Sequence, residues 1–98
     1  MPTRDVLASF WRDWHRLTLE QQDAFYRGVD KFVADLSAGS RFRPGLRVKR
    51  VQGEAPGVFE MTWAPDGRAT FEYGAEQTPG EPHIVWRRIG THAILKSP

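Results

Sequence analysis

The sequence contains no cysteine, which excludes both disulfide bonds and thiolate zinc sites. It also lacks any apolar run near the ~18 residues that a membrane-spanning helix needs. Its first residues, MPTRDVLASF, carry charge where a secretory signal has a long apolar stretch. The chain must therefore fold by packing alone, and we expect a cytoplasmic protein that does not associate with membranes.

The chain is short, and its 98 residues leave room for two or three helices against one sheet. This length excludes a second catalytic domain and a doubly wound nucleotide-binding fold. Apolar residues make up 40% and charged residues 27%, a composition typical of globular proteins and not of disordered ones. We predict one domain that covers residues 1–98.

The net charge is only +2, but the positive charge is concentrated in one segment. Residues 1–37 have five basic and six acidic side chains, and residues 51–98 have four basic and six acidic side chains. The segment between them, 38–50, has five basic side chains and no acid: Arg41, Arg43, Arg47, Lys49 and Arg50. Such a cluster is typical of a polyanion-binding surface. The alternative is a solvated loop and edge strand, where basic side chains discourage aggregation.

Two amphipathic helices are predicted at the start of the chain. Apolar side chains recur at helical spacing from Val6 to Leu17, with Thr3 as a candidate cap, although the first few residues could instead form a short strand. The second helix begins at Thr18, which forms a capping-box pattern with Gln21, and it ends at Gly39. Because the break between the helices is short, we expect an antiparallel pair.

From residue 42 the apolar period changes to two, which is typical of strands. Strands are predicted in LRVKRVQ (46–52), VFEMTW (58–63), RATFEY (68–73) and HIVWRRI (83–89), with a tight turn at 65–67. The sequence therefore predicts an α+β fold. In it, two N-terminal antiparallel helices pack on one face of a small antiparallel sheet of three to four strands.

Strand parity gathers polar side chains on the other face of this sheet. By the same rule, Arg87 and Arg88 lie on opposite faces of the last strand, so only one of them can join this surface. His92 follows just beyond that strand. The polar residues that share the face are Arg47, Lys49, Glu60, Thr62, Arg68 and Thr70. We predict an open, basic, concave surface.

Motifs for several other chemistries are missing. The histidines, His15, His83 and His92, are far apart and have no HExxH spacing, so no metal is expected. We expect His83, which begins a strand after a proline, to be structural. The sequence has no Gly-x-Ser-x-Gly elbow and no phosphate-cradling P-loop. No cofactor is predicted.

Cleavage of RNA by its own 2′-hydroxyl needs neither a metal nor a thiol. It needs a base for the hydroxyl proton, cations for the phosphate and an acid for the leaving 5′-oxygen. His92 can serve as acid or base, and Arg68 can bind phosphate. Lys49 is a better phosphate ligand than base, because a basic lysine needs a strongly lowered pKa. Glu60 or Asp66 is therefore the better candidate for the base, although Asp66 is also an ordinary turn residue.

Three segments, LRVKRVQG, GVFEMTWAPDGRATFEYG and HIVWRRIGTH, together with the order of elements, resemble the RelE/ParE superfamily of toxins from type II toxin–antitoxin systems. The most specific features are the hairpin PDGRATFEY, which carries Arg68, and the final Ile-Gly-Thr-His, which ends at His92. This RelE/YafQ-like resemblance implies a RelE-like fold and an mRNA endoribonuclease that acts on the ribosome. It also implies a cognate antitoxin as partner.

The resemblance implies catalytic or phosphate-binding roles for Arg68, His92 and Lys49, and with Glu60, chosen above as a candidate base, these are the predicted catalytic residues. The RNA-binding residues predicted with them are Arg41, Arg43, Arg47, Lys49, Arg50 and Arg87. The chain departs from the family pattern after His92, where neither an aromatic nor an acidic residue follows. Two alternatives are a ParE-like inhibitor of DNA gyrase and a non-catalytic member that binds nucleic acid or an antitoxin.

Overall fold

The computed structural model describes residues 1–53 and 56–98. Its elements in chain order are β1 (Thr3–Val6), α1 (Ala8–Trp14), α2 (Leu19–Ser37), β2 (Lys49–Arg50), β3 (Val58–Thr62), β4 (Gly67–Gly74) and β5 (His83–Thr91). Short 3-10 helices occupy Pro44–Leu46 and His92–Lys96. The fold is α+β, as the sequence predicts.

The sheet has five strands in the order β1-β5-β4-β3-β2, and its strand directions are mixed. β1 runs parallel to β5, with Thr3 opposite His83 and Val6 opposite Trp86. The other neighbouring strands are antiparallel. The predicted antiparallel sheet of three to four strands is therefore wrong in strand number and direction. The reason is that β1 is four residues long and pairs with a strand about eighty residues away, which a local apolar pattern does not report.

The helix starts follow from local hydrogen bonds. The Thr18 hydroxyl accepts from the Gln21 N–H (3.1 Å) and the Gln21 side chain accepts from the Thr18 N–H (2.8 Å), which confirms the capping box. α1 is shorter than predicted because Val6 belongs to β1. Leu7, and not Thr3, is its N-cap, and the Leu7 N–H donates to the Trp86 carbonyl (2.9 Å).

The core lies between the helices and one face of the sheet, and it is rich in aromatic rings. The Phe32 ring of α2 lies 4.9 Å from the Phe71 ring and 5.3 Å from the Trp86 ring. α2 approaches β3 closely at Gly28, where a Cβ would lie 3.2 Å from Met61 Cε. This packing leaves the opposite face of the sheet for polar side chains. In the described ranges, no helix combines the length and apolar character needed to cross a membrane.

Candidate functional site

The sheet face away from the helices carries most of the polar residues predicted from strand parity. Lys49 lies opposite Glu60 in the register, and Glu60 lies opposite Thr70. Thr62 lies opposite Arg68 in the adjacent row. Since directly opposite side chains on one face are about 4.5–5.5 Å apart at Cβ, these five residues form one patch.

The Arg68 guanidinium is fixed by the turn that precedes it. Its Nη1 donates to the backbone oxygens of Gly67 (3.0 Å), Pro65 (3.3 Å) and Ala64 (3.4 Å). Its Nε lies 3.9 Å from Glu60 Oε1, and the side chain is only 14% exposed. The hairpin turn and one carboxylate therefore hold this cation in a single orientation on the sheet face.

Glu60 is the buried partner in this arrangement, with a side chain that is 7% exposed. A buried carboxylate is tolerated where a nearby cation compensates its charge, and Arg68 provides that cation. Lys49 is exposed and lies at the edge of the patch. The burial of Glu60 favours a role in orienting Arg68 over direct contact with a ligand.

His92 is exposed and lies beside the β3–β4 turn. Its backbone N–H donates to the Asp66 carbonyl (3.0 Å), and Gly90, two residues earlier, pairs with Arg68. The structure thus brings the C-terminal histidine to the hairpin that carries Arg68, although the two are distant in sequence. Asp66 is the exposed carboxylate of this turn.

The C-terminal segment, His92–Pro98, folds back over part of the same face. A Cβ on Gly90 would lie 2.9 Å from Ile94 Cγ2, so this side chain packs directly on the strand. Nη1 of Arg88 donates to the Ser97 carbonyl (3.0 Å) and Nε of Arg87 donates to the Pro98 backbone oxygen (3.1 Å). The expectation of an open surface is therefore wrong at β5, and the accessible part lies over β3 and the start of β4.

A β-bulge explains why both of these arginines reach the C-terminal segment. Thr70 pairs with Arg88 and Phe71 pairs with Trp86, so Arg87 is an extra residue in β5. The bulge interrupts the alternation from which one arginine was expected on each face. Nη1 of Arg87 also lies 3.3 Å from Oε1 of Glu72, so this carboxylate already compensates the charge of Arg87.

Asp13 is a buried residue that the sequence interpretation missed. Its carboxylate accepts from Arg88 Nε (2.7 Å), from Arg88 Nη2 (3.1 Å) and from the Ile89 N–H (3.1 Å). The hydrogen bonds that Arg88 donates to Asp13 raise the pKa of Arg88. The available signal was the position of Asp13 three residues after Phe10 and one before Trp14, on the apolar stripe of the helix.

The basic segment 38–50 does not form one surface. LRVKRVQ is a strand only at Lys49–Arg50, because Arg47 has φ 48° and ψ 43° in the left-handed region. The prediction that Arg47 shares the strand face of Lys49 is therefore wrong. The Arg50 guanidinium lies 5.7 Å from the Phe59 ring centre, and because Phe59 packs against the core, Arg50 lies on the helical face of the sheet, opposite to Lys49. Arg41 is exposed.

Arg43, a predicted RNA-binding residue, is instead engaged with the end of α2. Its Nε and Nη2 donate to the two carboxylate oxygens of Asp35 (2.8 and 2.9 Å), and its backbone N–H donates to the same group (3.0 Å). These hydrogen bonds lower the pKa of Asp35 to about 2. This pair anchors the loop after α2.

His83 is structural in its geometry, as the sequence suggests. Its Nδ1 lies 2.7 Å from Thr3 Oγ1 and its Nε2 lies 3.1 Å from Asp5 Oδ2, so the ring links β5 to β1. No group of three or more histidine or carboxylate side chains that could bind a metal ion occurs within residues 1–53 and 56–98.

Comparison with known proteins identifies the fold. No protein-family model matches the sequence, and no curated protein matches it significantly. Among solved structures, a copper-bound mutant toxin from Helicobacter pylori has a TM-score of 0.69 and 18% identity, over 95% of this chain and 97% of that one. YafQ from E. coli, in its complex with DinJ, has a TM-score of 0.65 and 14% identity, over 96% of each chain.

A third solved structure, the YoeB/ParE toxin from Agrobacterium tumefaciens, has a TM-score of 0.55 and 16% identity, over 92% of this chain and 98% of that one. At these identities the likeness establishes the fold, and the chemistry must be argued from the residues present. The resemblance found in the sequence is confirmed at this level: the chain has the fold of the RelE/YafQ-like toxins.

Proposed function

We propose that this chain is the toxin of a toxin–antitoxin pair and that it cleaves mRNA. One observation carries the proposal: the sheet register places Lys49, Glu60 and Arg68 in adjacent rows, and a backbone hydrogen bond brings His92 to the same hairpin. This surface combines an oriented guanidinium, an exposed ammonium group and an exposed imidazole. Those groups match the needs of phosphodiester cleavage.

The reaction uses the 2′-hydroxyl of the RNA as nucleophile. A base removes its proton, the 2′-oxygen forms a bond to phosphorus, and the bond from phosphorus to the 5′-oxygen breaks. An acid gives a proton to that leaving oxygen, so the products are a 2′,3′-cyclic phosphate and a 5′-hydroxyl. Arg68 and Lys49 stabilise the charge that builds on the phosphate oxygens.

We assign the proton transfers to His92 and Asp66. Both are exposed and lie together at the β3–β4 turn, and an imidazole and a carboxyl group can each accept or donate a proton. Glu60 is assigned as the positioning residue for Arg68, because its buried carboxylate lies beside the Arg68 Nε. Arg41, which is exposed, supplies additional positive charge for the RNA.

The proposed substrate is mRNA bound to the ribosome, as the resemblance to RelE/YafQ-like toxins implies. The proposed protein partner is an antitoxin, and the YafQ–DinJ complex is the precedent among structures of this fold. An apolar groove of about 300 Å³, lined by α1, α2 and β1, supports a protein partner. Trp11 and Tyr26 line this groove and are 47% and 57% exposed.

The test is to induce the chain in a bacterial host and to map new transcript 5′ ends. We expect growth arrest with new ends inside coding regions, and we expect Arg68→Ala and His92→Ala to abolish both. Arg16→Ala, which removes an exposed cation at the end of α1, is the matched control and should remain toxic.

Two outcomes would contradict the proposal. If Arg68→Ala and His92→Ala were as toxic as the parent, the assigned site would be wrong. Growth arrest without new 5′ ends would instead favour gyrase inhibition, the activity suggested by ParE-like members, and purified gyrase would then be assayed directly. Cleavage by the purified chain in the presence of a chelator would test the metal-free mechanism.

A further inference from the structure

A cleft of about 750 Å³ lies between α2 and the β3–β4 turn, and it meets the patch around Arg68 at Thr62. Trp63 and Gly28 contribute to its lining where the helix and the strand approach each other. The cleft includes Thr62 from one side of β3 and Trp63 from the other, so it extends around the end of this strand. It therefore connects the helical side of the molecule to the proposed catalytic face.

The lining of this cleft is strongly cationic. Four basic side chains contribute to it, against one carboxylate, that of Asp30. Arg43 is engaged with Asp35, whereas Arg27, Lys31 and Arg47 are exposed and form no ion pair within the described part of the chain. Three uncompensated cations around one concave surface produce a positive potential that attracts an anionic ligand.

The Trp63 indole is one of the residues that line the cleft. Its Nε1 is buried and has no hydrogen-bond partner among the residues that the structure describes.

The cleft begins one strand away from Arg68. Thr62 is part of its lining and is the register partner of Arg68, and neighbouring strands lie about 4.7–4.9 Å apart. An extended anion could therefore follow the surface from Arg68 around β3 to Arg27. Single-stranded RNA has the required repeating negative charge and can bend around the strand.

We propose that this cleft binds the phosphates of the RNA segment next to the cleavage position, with Arg27, Lys31 and Arg47 as the ligands. This inference rests on the proposed function, because it takes RNA as the substrate. It also accounts for Arg47, which leaves the strand face by its left-handed conformation and faces this cleft. The RNA would thus have two contact regions, one for the scissile phosphate and one for its neighbours.

The test is equilibrium binding of a short 2′-O-methyl RNA, which cannot be cleaved. The double variant Arg27→Ala/Lys31→Ala is compared with Arg12→Ala/Arg16→Ala, which removes two exposed cations on and just after α1. Each phosphate contact on a single strand contributes about 0.7 to the slope of log affinity against log salt. We therefore expect the cleft variant to lower the slope by about 1.4 and the control variant to leave it unchanged.

Between 50 and 200 mM salt, the RNA affinity of the parent should therefore fall by a factor about seven times larger than the factor for the cleft variant. Equal slopes for the two double variants, or no binding by the parent, would overturn the inference. Because the oligonucleotide is not cleaved, this result is independent of the 5′-end mapping. If the parent cleaves mRNA but the cleft variant binds the RNA with the same salt dependence as the parent, the inference about the cleft is refuted and the proposed function stands. If the parent binds the RNA as expected but produces no new 5′ ends, the proposed function is refuted and the binding role of the cleft stands.

Discussion

The buried Asp13 carboxylate allows a quantitative test of how the end of β5 is held. Asp13→Asn keeps the shape of the side chain but removes its charge and replaces one acceptor oxygen with an N–H donor. The three donors that now contact the carboxylate, two from Arg88 and one from Ile89, would then face an amide that can accept from only part of them. Hydrogen bonding around β5 would be lost in the folded state.

The magnitude follows from burial. Removing one partner of a buried ion pair costs about 3–5 kcal/mol. The Asp13 side chain is only 9% exposed, but that of Arg88 is 28% exposed and water can solvate part of its charge. We therefore expect a loss of about 2–3 kcal/mol in the free energy of unfolding, which lowers the Tm by roughly 10–20 °C for a domain of this size.

The assay is urea-induced unfolding, with thermal unfolding as a second measurement. Asp35→Asn is the matched control, because Asp35 also accepts two guanidinium hydrogen bonds and one backbone N–H, but from a more exposed arginine. We expect the control to lose less stability than Asp13→Asn. If Asp13→Asn changed the free energy of unfolding by less than about 0.5 kcal/mol, as surface substitutions do, the assigned role of this network would be refuted.

Two further predictions concern the loop anchor and the hairpin. Because hydrogen bonds from Arg43 lower the pKa of Asp35 to about 2, the pair stabilises the folded state above the ordinary aspartate pKa, and this contribution is lost as the pH falls towards 2. Acid titration of unfolding should therefore show a shallower loss between about pH 4 and pH 2 for Asp35→Asn than for the parent. At Gly67, an added Cβ would lie 2.6 Å from the Trp63 ring, so Gly67→Ala should destabilise by about 1–3 kcal/mol in urea unfolding, and a parent-like midpoint would contradict this contact.

Elements specified by neighbouring residues were predictable from the sequence. The capping box at Thr18 and Gln21 fixes the start of α2, and the turn before Arg68 fixes the β3–β4 hairpin. Because these two strands are regular, parity correctly placed Glu60, Thr62, Arg68 and Thr70 on one face.

The features that depend on distant contacts were not predictable in the same way. β1 becomes a strand only by pairing with β5, so Val6 counted as part of a helical pattern. The bulge at Arg87 depends on β4 and on Asp13, and nothing in HIVWRRI reports it. The sequence LRVKRVQ alternates between apolar and polar residues as a strand does, but the left-handed backbone of Arg47 interrupts the strand in the structure.

The candidate site was predictable where it lies on regular strands and was not predictable where it depends on distant contacts. Parity brought Lys49, Glu60 and Arg68 together, and the position of His92 just beyond the last strand placed it near them. The coverage of β5 by the C-terminal segment was missed, since Ile94 contacts Gly90 through a reversal of the chain. The cationic cleft was also missed, because Arg27 and Lys31 come from a helix and Arg47 from an irregular segment.

The parallel pairing of β1 with β5 has a consequence for folding during synthesis on the ribosome. Residues 3–6 find their partners only after residues 83–86 have been synthesised, so the sheet cannot be completed before that point. The same residues begin β5, the strand that precedes His92. A nascent chain therefore cannot bring His92 to the hairpin that carries Arg68 until residues 83–92 have left the ribosome.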